Sequence, residues 1–123
     1  VNSYSSGQAA ERSGFSIDTL RYYERIGLLK GIDRTESGQR RFTDDDVTWL
    51  RLLRCMRDTE MPLAEMRHYA ELHRAGPDGL AERLSLLEEH GRRVERRLAH
   101  LQTCWTVIRD EIHTTAGAER PVA

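Results

Sequence analysis

Few residues in this chain are of a type and spacing that could do chemistry. Only two of the 123 residues are cysteines, Cys55 and Cys104. Two thiols cannot build a disulfide framework or a four-thiolate zinc or iron–sulfur site within one chain. The five histidines are scattered. His68 and His73, five apart, suit one helical face less well than a spacing of three or four would. No bound metal and no cofactor are therefore expected. No serine, histidine and aspartate form a nucleophile elbow or triad, and no glycine-rich phosphate loop is present, so the chain does not read as an enzyme. What remains is the thiol of Cys55 and a set of arginines.

Those arginines are unevenly placed. The formal net charge is -1, yet residues 1–57 carry 10 basic and 8 acidic side chains, and 58–123 carry 9 and 12. The first half is the better phosphate-facing part, because guanidinium forks suit phosphate oxygens. With 38% hydrophobic and 32% charged residues and no long apolar run, the chain suits a small core under a charged surface. It offers no membrane span. The N-terminal residues Val1-Asn2-Ser3-Tyr4 do not resemble a secretion signal, so a cytoplasmic location is expected.

The elements that must position these groups are mostly helical. Ser5 caps a short helix that ends at Gly14, and Ser16 caps a second, with Leu20, Tyr23 and Ile26 facing inward before Gly27. Two short helices around a tight turn describe a helix-turn-helix. From Leu28 to Phe42 the helical pattern fails, and Gly31, Asp33, Ser37 and Gly38 punctuate a hairpin or wing with arginines at its tip. Thr43 and the acids that follow it start a third helix, to about Glu60, and Pro62 starts a fourth, to about Ala75. After a linker at 76–79, Leu80, Leu84, Leu87, Val94, Leu98, Leu101, Trp105, Ile108 and Ile112 alternate at spacings of four and three, with Gly91 filling one step. This seam, about 50 Å long at 1.5 Å per residue, exceeds what so small a core needs, and a second copy of the chain is the expected partner.

The segments Thr19-Leu20-Arg21-Tyr22-Tyr23-Glu24-Arg25-Ile26-Gly27-Leu28-Leu29 and Arg34-Thr35-Glu36-Ser37-Gly38-Gln39-Arg40-Arg41-Phe42 resemble the MerR family of bacterial transcription regulators over roughly residues 4–72. The resemblance implies a mainly all-α fold: a winged helix-turn-helix domain with a small β wing at 1–75, the linker, a dimerisation helix at 80–113 forming an antiparallel dimeric coiled coil, and a flexible tail at 114–123. It also implies a homodimer that binds double-stranded promoter DNA, bends and untwists it, and works with RNA polymerase at the promoter. On the second helix Ser16, Asp18, Thr19, Arg21 and Tyr22 are the DNA-contact candidates, with Tyr23 turned inward. In the wing they are Arg40 and Arg41, while Gln39 stands where the family commonly has an aromatic. The seam residues Leu84, Leu87, Val94, Leu98, Leu101, Trp105 and Ile108 would carry the dimer.

Metal-sensing and iron–sulfur members of that family carry cysteine sets that this chain lacks. At 100° per residue Cys55 lies about 140° from the apolar face formed by Trp49, Leu50, Leu53 and Met56, so it is not a core residue of its own helix. Arg51 lies one turn back, and a guanidinium beside a thiol favours the reactive thiolate. The run Trp49-Leu50-Arg51-Leu52-Leu53-Arg54-Cys55-Met56-Arg57 is similar to the aldehyde- and thiol-stress-responsive, AdhR/NmlR-like branch. That implies sensing of reactive aldehydes, nitrosating agents or oxidants through Cys55. The alternative is a regulator that senses a noncovalent small molecule or has no effector, with Cys55 only packing. Cys104 precedes seam position Trp105 and reads as packing beside the coil. Trp105 and Tyr69 read as core aromatics or as the lining of a small cavity.

Overall fold

The computed structural model describes residues 2–119. Its elements are β1 (Ser3–Tyr4), α1 (Ser6–Ser13), α2 (Ile17–Arg25), β2 (Asp33–Arg34), β3 (Arg40–Thr43), α3 (Asp44–Asp58), α4 (Leu63–Arg74) and α5 (Leu80–Glu119). The fold is mainly helical, with one small antiparallel sheet in the order β1-β3-β2. Strand β3 pairs Arg41 with Asp33 and Arg40 with Arg34 on one side, and Phe42 with Tyr4 on the other. The hairpin was legible in the sequence; the third strand, from the N-terminal residues, was not. Two residues carry no readable period-two pattern, and only the pairing defines the strand.

The helix starts follow their caps. Ser5 and Gln8 form a reciprocal capping box at α1, and Thr43 and Asp46 do the same at α3. Each box satisfies backbone donors that the first turn leaves open. Gly14, at φ 81°, ends α1 in the left-handed conformation that lets α2 begin at once. The core gathers Leu20, Tyr23, Leu50, Leu53, Met66 and Tyr69 from the helices, Phe42 from β3, and Phe15 and Leu28 from the turns that follow α1 and α2. On α3 the buried face is Val47, Leu50, Leu53 and Met56. Trp49, expected on that face, lies at its half-buried edge, where its indole donates to the Leu28 carbonyl at 2.8 Å.

The linker residues 76–79 form a 3-10 turn, with Gly79 buried so close to α4 that a Cβ there would stand 2.3 Å from the Leu72 carbonyl oxygen. The long helix continues to Glu119, past the tail boundary expected at 114. Thr114 returns its hydroxyl to the Asp110 carbonyl and Thr115 to the Glu111 carboxylate, so both threonines join the helix instead of fraying it. Residues 120–123 of that expected tail lie outside the described residues. By internal contacts the chain divides into a unit ending at Leu86 and a unit starting at Leu87, within the first two turns of α5. In the second unit Leu98, Leu101, Trp105, Ile108 and Ile112 are exposed, each by about half of its surface.

Candidate nucleic-acid interface

Helix α2 is held by its interior residues and presents the others outward. Tyr23 is buried, as its inward assignment requires, and meets Phe15 edge-on at 5.1 Å between ring centroids. Ser16 caps the helix by accepting the Thr19 amide at 3.1 Å, and the two hydroxyls are 2.9 Å apart. Ser16 keeps its exposed position; Thr19 is half-buried. Arg21 is exposed, with Asp18 at 3.7 Å as a loose partner. Tyr22 is exposed and lies under the Arg25 guanidinium at 5.5 Å. The outward side of α2 thus carries hydroxyls, an arginine and a phenol, groups that reach phosphates and base edges.

The wing corrects one detail. Its tip is the turn at residues 35–39, closed by Thr35 N–H donating to the Gln39 carbonyl at 2.7 Å and by Arg34 donating to the Gly38 carbonyl at 2.9 Å. Arg40 and Arg41 start the returning strand and do not form the tip. Strand pleating sends them to opposite faces. Arg41 is exposed, whereas Arg40 is half-buried and turns inward to Glu24 of α2, donating from Nε at 2.8 Å. Between wing and helix lies an open groove of about 410 Å³, lined by residues 5–7, Arg21 and residues 38–40. The first residues of α1 border it, and a helix N-terminus has a polarity suited to phosphate. Sequence reasoning used Ser5 only as a cap. Its place in the groove depends on β1 pairing with β3, which no local pattern announces.

Cys55 lies off the buried face of α3, as its angle implied, and is exposed. Among the described residues its Sγ has no hydrogen-bond partner, and its carbonyl accepts from the Thr59 hydroxyl at 2.6 Å. Arg51, expected beside the thiol, instead donates to the Arg12 carbonyl at 3.3 Å. Arg54 donates to the Gly14 carbonyl and, through Nε, to Asp58 at 2.7 Å. Its guanidinium holds the Asp58 carboxyl below the usual carboxylate range. Both arginines flanking Cys55 therefore hold the end of α1 and the turn into α2. Cys104 lies on α5, with Sγ 3.5 Å from His100 Nε2.

On the other side of α3, Trp49 stacks on Tyr69 and on His73, one turn apart on α4, at centroid distances of 5.8 and 4.7 Å. A cavity of about 420 Å³ adjoins them, with Asp45, Thr48, Leu52 and Arg83 in its wall. Tyr69 is thus a packed aromatic, while Trp105 is exposed. Burial, followed by the neighbouring Arg83 and Arg74 charges, lowers the His73 pKa. Among the described residues no three histidine, cysteine or acidic side chains gather to hold a metal ion, and no helix is long and apolar enough to cross a membrane.

A capped reading helix, a β wing beside it and a shared basic groove define a winged helix-turn-helix DNA-binding protein. Residues 4–72 match the MerR HTH family of regulatory proteins, and the chain belongs to that family. It is 43% identical to an HTH-type transcriptional regulator of Haemophilus influenzae, over 80% of this chain and 73% of that one. It is 33% identical to the Bacillus subtilis HTH-type regulator AdhR, over 71% of this chain and 62% of AdhR. Among solved structures it is similar to HiNmlR, a MerR family regulator lacking the sensor domain and bound to promoter DNA. That match has a TM-score of 0.80 and 41% identity over 85% of this chain and 80% of that one. A MerR family protein of Listeria monocytogenes gives a TM-score of 0.82 at 34% identity, covering 92% and 86%. These relatives are transcriptional regulators, not enzymes, and this chain is a DNA-binding transcriptional regulator of the same family.

Proposed function

We propose that the chain acts as a homodimer on double-stranded promoter DNA, places α2 in a major groove with the wing against the adjoining backbone, and distorts the duplex for RNA polymerase. The observation that carries this reading is the groove bordered by the α1 N-terminus, Arg21 of the reading helix and Arg40 of the wing, which sets one arginine from each of the two elements along a single opening. In this reading Ser16 and Thr19 shape the start of α2, Arg21 and Tyr22 approach the groove edge, and Arg41 takes backbone phosphate. The DNA-binding part is residues 1–75. Residues 80–113 carry the dimer, because the exposed apolar residues of α5 gain by burial against a second copy. The similarity to promoter-bound HiNmlR supports the docking.

The effector reading is that Cys55 responds to reactive aldehydes, nitrosating agents or oxidants. Exposure of the residue supports it, and so does the similarity to AdhR and HiNmlR. The flanking Arg51 and Arg54 give a physical route: an adduct on Cys55 that draws either guanidinium loosens its hold on Arg12 or Gly14, and hence the entry angle of α2. A small change in that angle alters the energy of bending a DNA site. A second reading, in which a noncovalent small molecule is the effector, is favoured by the aromatic-walled cavity beside Trp49.

One set of variants tests both levels. Arg21→Ala is expected to abolish promoter protection in footprints at moderate salt, and wild-type protection by that variant refutes the docking. Cys55→Ser is expected to bind the promoter yet fail to respond to formaldehyde and to a nitrosating agent. A normal response removes the thiol and leaves the cavity.

A further inference from the structure

We infer that Glu24 is a positioning residue for DNA recognition, the carboxylate that fixes the wing against the reading helix and presets Arg40 for phosphate. This rests on the docking proposed above. Glu24 stands near the end of α2 and faces the wing, with its side chain about a quarter exposed. Its Oε1 accepts from Arg40 Nε at 2.8 Å and lies 2.8 Å from Arg40 Nη2. Arg34 Nη2 approaches the same oxygen at 3.7 Å. Arg34 and Arg40 are register partners on β2 and β3, so a single carboxylate of α2 engages both strands of the wing at one rung.

The charge arithmetic suits a positioning role. One carboxylate between two guanidinia leaves the cluster positive, so it attracts phosphate while holding its own arginine still. The Nε–Nη2 edge of Arg40 is given to Glu24, and the residue also lines the groove with Arg21 and the α1 N-terminus. A free arginine retains many rotamers and pays to order on binding; a held one has already done so. The clamp also makes the wing and α2 turn together. Phosphate gripped by one and bases met by the other then report a fixed spacing, which is what discriminates a deformable site from a random one. A partly exposed ion pair contributes little to fold stability, so its effect is expected in recognition.

The test uses the full chain, a duplex enriched from a random-sequence pool by the wild-type protein, and an unselected duplex of equal length. Glu24→Gln is expected to lose about tenfold in affinity for the enriched duplex while binding the unselected one as well as before or better. The slope of log affinity against log salt should stay the same, because no phosphate contact is removed. Arg40→Gln should lose affinity and also lower that slope by about one. The double variant should lose less than the sum of the two single variants, since Glu24 acts chiefly through Arg40. Glu24→Asp, which withdraws the carboxylate while keeping its charge, repeats the test should Glu24→Gln melt early. Wild-type selectivity in both Glu24 variants, or additive losses in the double variant, overturns the inference. If Arg21→Ala also binds the enriched duplex normally, the docking itself has failed; if Arg21→Ala is impaired and the Glu24 variants are not, only the role of Glu24 falls.

Discussion

His73 shows how a single side chain takes its properties from its surroundings. Its ring stacks on Trp49, and burial together with Arg83 and Arg74 favours the neutral imidazole, lowering its pKa from the ordinary value of 6.5. A base whose pKa is lower in the folded state adds stability that is fully present above the ordinary imidazole range and is lost as pH falls through the lower, folded value. His73→Phe keeps an aromatic face on Trp49 without a titrating nitrogen. Thermal unfolding of this variant, followed from about pH 8 to about pH 5, should show a smaller loss of Tm on acidification than the wild-type chain shows. An equal loss would place the pH dependence elsewhere.

Among elements, α3 joins the core, α4 and the turn between α1 and α2. One face supplies the core through Leu50, Leu53 and Met56, one edge stacks Trp49 on α4, and Arg51 and Arg54 reach to the turn between α1 and α2. The carbonyls they cap are those a helix end leaves without partners. Arg54→Ala should therefore destabilise the domain by about 1 kcal/mol and accelerate amide exchange at Phe15 and Ser16 more than in α4. Uniform acceleration would mean that Arg54 serves global stability and not this turn. The Cys55 route proposed above predicts the same local loosening after adduct formation. The amphipathic spacing of α3 was legible as sequence, since period 3.6 fixes which residues turn inward. The destinations of its arginines were not, because a guanidinium on a long stem has many targets and only the packed turn selects one.

At the scale of the whole molecule the exposed apolar face of α5 is the feature that calls for a partner. Leu98→Glu with Leu101→Glu should leave the first unit folded, judged by the near-ultraviolet signal of Trp49. The same change should shift sedimentation from dimer to monomer at micromolar concentration and weaken DNA binding by the loss of a linked second site. A dimer that persists would show that these residues are not the seam.

Amino-acid order alone determined the helices, their caps, the hairpin, the inward tyrosine and the outward cysteine. These follow from local periodicity, side-chain-to-backbone hydrogen bonds and backbone stereochemistry, all of which act within a few residues. Tertiary structure alone decided that Ser3 and Tyr4 join the sheet, that residues 76–79 close tightly on Leu72, and that Arg40 turns to Glu24 instead of solvent. Each of these joins residues seven to forty positions apart. Such contacts are fixed by the packing of elements against one another, and no short window of sequence contains both partners.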